Sequence, residues 1–426
     1  MNNASIAPLP RVLDGVDGTG KLVDLSRHLR QHGPAPELRR VDPEALVAEV
    51  ERAGLRGRGG AGFPTARKLR SVAARRGGKH VVINATEGEP LSRKDRVLLR
   101  EAPHLVLDGA AVAARAVGAQ EATIAFTEHV RGTEESLAAA LYQRRGQVRD
   151  DPHFQLVATP ERFLAGQETA LVSYINGGPL QPAFGRPPYV RGVRGRPTLV
   201  QNAETLAHLA LIARHGSAWY RELGTETEPG SALVTLAGAI QRPGVYEIEH
   251  GMALHQLVEI AGPREQIRAF LLGGFFGSWH SGRLERELHL SNRDLQGHGA
   301  AMGAGVVFVL GSSSCPVAET ARVADWFADQ SAGQCGPCER GLGAVSGTVR
   351  RLATGSASRG AYLDLRRWSE EIRGRGACHH PDGAVRFVLS ALDTFADEFE
   401  DHAQHGACER CSDAVLPVGR SVPSLV

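Results

Sequence analysis

No cysteine occurs in the first 314 residues of this 426-residue chain. No disulfide framework can hold that part together, so packed cores must do it. Aromatic residues are scarce at 5%, which excludes a single-strand nucleic-acid surface built on base stacking. A net charge of +2 sets up no field for a nucleic acid or an anionic membrane. Long apolar runs are missing too. The longest stretch, 105–119, is interrupted by Asp108 and Arg115, so no membrane-spanning helix is expected. The opening MNNASIAPLP lacks the basic-then-apolar pattern of a secretion signal. A cytoplasmic location is expected, peripheral to the inner membrane only through partner subunits. Lysine is rare, occurring only at 21, 68, 79 and 94. Two of the four fall inside the densest motifs, where a compact ammonium is not interchangeable with a planar guanidinium.

A chain this long predicts two to four domains. Residues 1–42 are polar and punctuated by Pro and Gly, and read as an arm. From 43 to 222 strand and helix patterns alternate, predicting an α/β layer domain. It has helices at 43–54, 65–76 and 98–118, a buried strand in HVVINA and another in EATIAFTE. After the GTETEPGS linker, 231–316 reads as a small α+β domain opening with two strands around Arg242-Pro243-Gly244. Residues 317–405 are helical by pattern, predicting a bundle, and 406–426 form a tail carrying Cys408 and Cys411.

Four motifs carry chemistry. Gly57-Arg58-Gly59-Gly60-Ala61-Gly62-Phe63-Pro64-Thr65, followed by Lys68, has glycines that let backbone approach a phosphate at a helix start. It follows a helical pattern instead of a strand, so alone it reads equally well as a surface loop. Asn84-Ala85-Thr86-Glu87-Gly88-Glu89-Pro90 and Lys94-Asp95-Arg96 follow a buried strand, at the sheet edge where α/β folds bind ligands. Gly166-Gln167-Glu168 and the segment 197–205, with Val200, Gln201 and Asn202, complete the set. Taken singly, each of the last three is an ordinary turn or helix start.

Their order and spacing resemble the NADH/FMN-binding, 51-kilodalton-type subunit of respiratory complex I and its diaphorase relatives, over about residues 45–402. The resemblance implies a Rossmann-like FMN/NADH domain, a β-grasp (SLBB-type) domain and a helical iron–sulfur bundle. It places FMN against Gly57, Gly59, Gly60, Gly62, Lys68, Asn84, Glu87, Gly166, Glu168, Val200 and Asn202, and puts Thr86, Gln167 and Gln201 beside the flavin or the dinucleotide. NADH or NADPH would lie against Phe63, Glu89, Glu168 and Tyr189. It implies hydride transfer carried by the flavin without a side-chain acid or base. The partner it implies is a thioredoxin-like [2Fe–2S] or ferredoxin-type subunit of a larger redox complex.

The chain departs from the family pattern in four places. Thr86, Gln167 and Gln201 stand where the family has Asp, Glu and Asn, so the pocket is expected to be less negative. Ala332 replaces the first thiolate of the family's [4Fe–4S] set, leaving Cys335, Cys338 and Cys378. His379, His380, Cys408 or Cys411 are candidates for the fourth position, an incomplete or absent cluster and a zinc site being the alternatives. Cys315 reads as a small buried hydrophobe. For Cys408-Glu409-Arg410-Cys411 the readings are a metal half-site, a redox pair or a tail disulfide. Two other functions stay open: a non-catalytic scaffold, and a flavin oxidoreductase with a vestigial cluster domain.

Overall fold

The computed structural model describes residues 9–183, 185–357 and 360–418; residues 1–8 of the expected arm and 419–426 of the tail lie outside them. The chain divides into two compact units. The first takes in residues to 88, 92–235 and 244–252, and the second 89–91, 236–243 and everything from 253 on.

The first unit begins with α1 (Leu25–His32), α2 (Pro43–Ala53) and α3 (Thr65–Ala73). Helix α2 starts where the Asp42 carboxylate accepts from the Ala45 amide at 3.1 Å, with Pro43 in the first turn, and it stops at left-handed Gly54. Strand β1 (Lys79–Ala85) follows, then α4 (Lys94–Glu101), α5 (Pro103–Val117), β2 (Ala119–Thr127), α6 (Thr133–Arg144) and β3 (His153–Thr159). Next come α7 (Glu168–Ile175), β4 (Thr198–Asn202) and α8 (Ala203–Tyr220). The single helix expected over 98–118 is thus two. Pro103 has no amide hydrogen and forces Ala102 out of the helical region, to φ −122°, which separates α4 from α5.

The sheet is parallel throughout, in the order β3-β2-β1-β4. The chain steps outward from β1 to β3, then returns to the far side of β1 to lay down β4. Helix α5 is buried along nearly its whole length, which explains its apolar run. Its one carboxylate, Asp108, meets His28 at 2.7 Å, Arg144 at 2.8 Å and Arg214. Burial alone would raise the Asp108 pKa, but these three partners hold it far below the usual carboxylate range. The expected arm instead packs into this unit. Val12, Leu13, Val16 and Leu38 join its core, and the Glu247 carboxylate accepts from the amides of Arg11, Val12 and Leu13 at 2.9–3.0 Å.

Strands β5 (Ser231–Gly238) and β6 (Gly244–Glu249) form around the expected Arg-Pro-Gly turn. In the second unit α9 (Leu254–Ala261), β7 (Ile267–Leu272), β8 (Ser278–Ser281), α10 (Asn292–Gly297) and β9 (Val306–Gly311) precede the helical part. Strand β7 pairs antiparallel with both β8 and β9. The bundle consists of α11 (Pro316–Asp329), α12 (Gly343–Ala353), α13 (Ala361–Ile372), α14 (His380–Thr394) and α15 (Ala396–His405). The core of the second unit is aromatic: Trp279, Phe308, Phe327, Phe387, Phe395 and Phe399 are all buried. Among the described residues no helix is long and apolar enough to cross a membrane.

Candidate functional site

Where strand order reverses, adjacent connections leave the sheet on opposite sides and open a crevice at the carboxyl ends of the strands. Here that seam lies between β1 and β4, and Asn84 and Asn202 are register partners at its mouth. The glycine loop runs beside it. The Arg58 amide donates to Thr205 Oγ1 at 2.8 Å, and the Gly57 amide to the Phe63 carbonyl at 2.9 Å. A Cβ added to Gly59 would touch the Asn202 Cβ at 3.4 Å, whereas one at Gly62 would meet nothing. Gly60 has φ +110°, a conformation side chains resist. Gly59, Gly60 and Ala61 are exposed, so this backbone is open to an anion at the start of α3.

From Asn202 the polar groups continue in an arc. Asn202 Nδ2 donates to the Asn84 carbonyl at 3.4 Å, and Asn84 Nδ2 to the Gly166 carbonyl at 2.9 Å. Thr86 Oγ1 donates to Asn84 Oδ1 at 2.9 Å. Lys68 Nζ meets Glu168 Oε2 at 2.9 Å, both side chains partly exposed. Glycine loop, Asn84, Thr86, Gly166 and Asn202 are therefore brought together.

Other expected residues are already engaged. Glu87, at φ +34°, accepts from Ser92 Oγ at 2.8 Å and from the Asp95 and Arg96 amides at 2.9 and 3.1 Å. It caps α4. Gln167 caps α7 by accepting from the Ala170 amide at 2.7 Å. Gln201 is buried, with Nε2 3.4 Å from Thr65 Oγ1. The Val200 side chain belongs to an apolar cluster with Val82 and Leu171, leaving only its backbone for a ligand. Phe63 is exposed with Arg67 over its ring at 5.5 Å, and Arg75 lies 5.3 Å from the Tyr189 ring. Glu89 folds with the second unit, where it accepts from the Phe275 amide at 3.0 Å.

Beneath the seam lies a charge network that joins Lys94 and Asp95 of the second motif to Glu204 of the 197–205 segment. Lys94 Nζ contacts Asp95 Oδ1 at 3.0 Å, Glu204 Oε2 at 2.8 Å and Asn202 Oδ1 at 3.2 Å, and Asn202 Nδ2 donates to Asp95 Oδ2 at 2.6 Å. Arg58 approaches Glu204 at 3.8 Å. Burial works against the Lys94 charge, but the two carboxylates raise its pKa above the ordinary range. Burial likewise opposes Glu204, which Lys94, His208 and Arg58 hold well below its ordinary range. Asp95 is pushed up to about 6 by burial, against the pull of Lys94, with Glu87 and Glu204 adding to the rise. The network fixes both ends of the Asn202 amide. In the sequence, both the scarcity of lysine and the Lys94-Asp95-Arg96 motif point to Lys94.

In the second unit Cys338 lies in the turn of π-helix Pro337–Leu342, and Cys378 sits just before α14. Burial pushes the Cys338 thiol up to about 12, against a Ser331 hydrogen bond, with Cys335 and Cys378 adding to the rise. The three thiols therefore share one neighbourhood. Their donor set fits three corners of a [4Fe–4S] cluster, and Ala332 offers nothing to the fourth. The residues considered for that corner are occupied elsewhere. His379 is exposed beside Asp382 at 3.6 Å, and His380 Nε2 meets the Phe327 carbonyl at 2.9 Å. Cys408 and Cys411 gather instead with Cys315 and His402.

Comparison with known proteins agrees with this geometry. Residues 50–211 match the Nuo51 FMN-binding domain, and residues 318–402 match the NADH-ubiquinone oxidoreductase-F iron-sulfur binding region. The second NADH-quinone oxidoreductase F-type subunit of Rhizobium meliloti (strain 1021) is 33% identical, the alignment covering 86% of this chain and 90% of that protein. The chain belongs to the F-type subunits of NADH-quinone oxidoreductase. This F-type chain is also 30% identical to NADP-reducing hydrogenase subunit HndC of Solidesulfovibrio fructosivorans, over 86% of this chain and 77% of that one. It superposes on a crystal structure of NAD+-reducing [NiFe]-hydrogenase in the air-oxidized state with a TM-score of 0.83 and 29% identity, covering 98% of this chain and 68% of that one. As an F-type member it is an oxidoreductase subunit with the family's FMN-binding domain and iron–sulfur binding region.

Proposed function

We propose that this chain oxidises a nicotinamide dinucleotide with FMN held at the β1/β4 seam, and passes electrons toward an iron–sulfur centre at Cys335, Cys338 and Cys378. The observation carrying this reading is the register pair Asn84 and Asn202 at the strand-order reversal, with the open glycine loop against Asn202. FMN supplies, when bound, the acceptance of hydride and the release of electrons one at a time. The chain's own groups bind and orient. Glycine-loop amides take the phosphate, Asn84 and Asn202 present fixed amides, and the Lys94 network holds Asn202 still. Phe63, Glu89, Glu168 and Tyr189 are proposed for the dinucleotide. Residues 231–316 are read as a β-grasp (SLBB-type) module, supported by the antiparallel β7 pairings. The partner is proposed to be a thioredoxin-like [2Fe–2S] or ferredoxin-type subunit within a larger redox complex.

Titrating flavin-free protein with FMN while following flavin fluorescence tests the site. Asn202→Ala and Gly60→Val should each weaken binding at least tenfold. Equal affinity in both variants, or a wild-type chain that stays colourless with FMN, removes the assignment and leaves the scaffold reading. Iron and acid-labile sulfide assays on anaerobically purified protein test the centre, and an absence of sulfide would sink it. Thr86, Gln167 and Gln201, in place of acids and a shorter amide, are proposed to relax discrimination against the extra phosphate of NADPH. A strong NADH preference in steady-state turnover would refute that.

A further inference from the structure

We infer that Cys315, His402, Cys408 and Cys411 form a second metal centre, a closed tetrahedral site for a single zinc-class divalent ion, separate from the three-cysteine iron–sulfur segment. The four come from three places: the N-cap of α11, the last turn of α15 and the tail just beyond it. Only His402 lies within the matched iron–sulfur region, and only as its last residue.

The donor atoms all lie within 4.8 Å of one another. Cys315 Sγ is 3.5 Å from Cys411 Sγ and 3.6 Å from His402 Nε2. Cys408 Sγ is 3.6 Å from Cys411 Sγ, which is 4.0 Å from His402 Nε2. With Zn–S bonds of about 2.3 Å and Zn–N bonds of about 2.05 Å, a tetrahedron has S···S edges of about 3.8 Å and S···N edges of about 3.6 Å. The S···S separations of 3.5 and 3.6 Å fall slightly short of that edge, and the S···N separations of 3.6 and 4.0 Å lie at or slightly beyond theirs, so small side-chain shifts would seat one ion. A cubane distributes its ligands over four irons and would hold them much farther apart, so the spacing selects one ion. All six cysteines are free thiols, so no disulfide competes for this pair.

The surroundings are arranged for ligation. His402 Nδ1 lies 3.2 Å from the Leu352 carbonyl, so Nδ1 carries the hydrogen and Nε2 presents its lone pair to the sulfurs. The Ala318 amide points at Cys315 Sγ from 3.4 Å, the bond that steadies a thiolate at a helix start. The tail is held on both sides of the thiols. Arg410 donates to the Ser312 carbonyl at 3.2 Å, and Glu319 accepts from the Val415 and Leu416 amides at 3.0 and 2.9 Å. Four protein ligands with no open position make a structural site, one that fastens the tail to α11 and α15.

Cobalt(II) is the probe. Titrated anaerobically into the full metal-free chain carrying Cys335→Ala, Cys338→Ala and Cys378→Ala, it should saturate at one equivalent. The product should show tetrahedral d–d bands and sulfur-to-cobalt charge transfer, and one equivalent of zinc should bleach both. Cys411→Ser should cut the charge-transfer intensity by about a third, as one of three Co–S bonds is lost. His402→Gln should keep that intensity but weaken binding at least tenfold. Octahedral spectra, no saturation at one equivalent, or loss of the signal with the three alanine substitutions would overturn the assignment. FMN binding is read on the same samples, so failure of this centre and failure of the flavin reading are told apart.

Discussion

Replacing Lys94 by Met keeps the length of the side chain and removes its charge. The Asp95 and Glu204 carboxylates, held 3.0 and 2.8 Å from the ammonium in wild type, would then face each other's field, with Arg58 and His208 left near Glu204. Removing one partner of a buried charge set costs about 3–5 kcal/mol. For a unit of this size each kcal/mol moves the melting temperature by roughly 2–4 °C, so the first unit should melt about 6–20 °C lower. Two signatures separate this from a packing defect. Asp95 already sits near 6 and would climb further without Lys94, so the penalty should shrink as pH falls from 8 to 6. Adding Glu204→Gln removes the second bare charge while keeping an acceptor for the Leu233 amide, now 2.8 Å away. The double variant should therefore be less destabilised than the two single losses summed. The assay is urea denaturation of flavin-free protein at both pH values, so that ligand binding does not mask the change. A Lys94→Met loss below about 1 kcal/mol, or strictly additive singles, would refute the account.

Two further outcomes follow from the packing. Gly109 in α5 lies so close to the Leu206 backbone of α8 that a Cβ would collide with its carbonyl. Gly109→Ala should cost about 3 kcal/mol or more, read as a shifted urea midpoint, and a neutral result would mean these helices do not pack as described. Burial lowers His32, His80 and His104 to about 4 from 6.5. Depressed histidines are neutral when folded and charged when unfolded between those values. Their contribution is complete above pH 6.5 and is lost as pH falls toward 4. Between pH 7.5 and 5 the first unit should lose on the order of 1–2 kcal/mol per ring, outweighing the opposite trend of Asp95. Stability that stays flat or rises on acidification would contradict it.

The helices of the α/β order and of the helical end are legible because their apolar residues repeat at helical spacing, and β1 because it is an almost unbroken buried run. The break at Pro103 is readable in the sequence, but the apolar run through α5 continues across it and masks it. The packing of residues 9–42 into the first unit has no legible period in the sequence, because the buried residues Val12, Leu13, Val16 and Leu38 are irregularly spaced. The Asn84–Asn202 pairing is not legible in the sequence, since no local pattern signals a strand that returns past its neighbours. Lys94, Asp95 and Glu204 lay in plain view inside motifs, yet their partnership is a property of the fold. Cys315 reads in sequence like any small buried residue; only the fold brings the His402 imidazole of α15 and the two tail sulfurs to it.

Asn84 and Asn202 stand 118 positions apart in the chain, yet share one hydrogen bond at the lip of the crevice. No autonomous peptide, early translation product or proteolytic fragment ending before β4 can possess that lip. In the proposed site a flavin would bridge both halves of the domain, so its retention would require the whole layer to be complete.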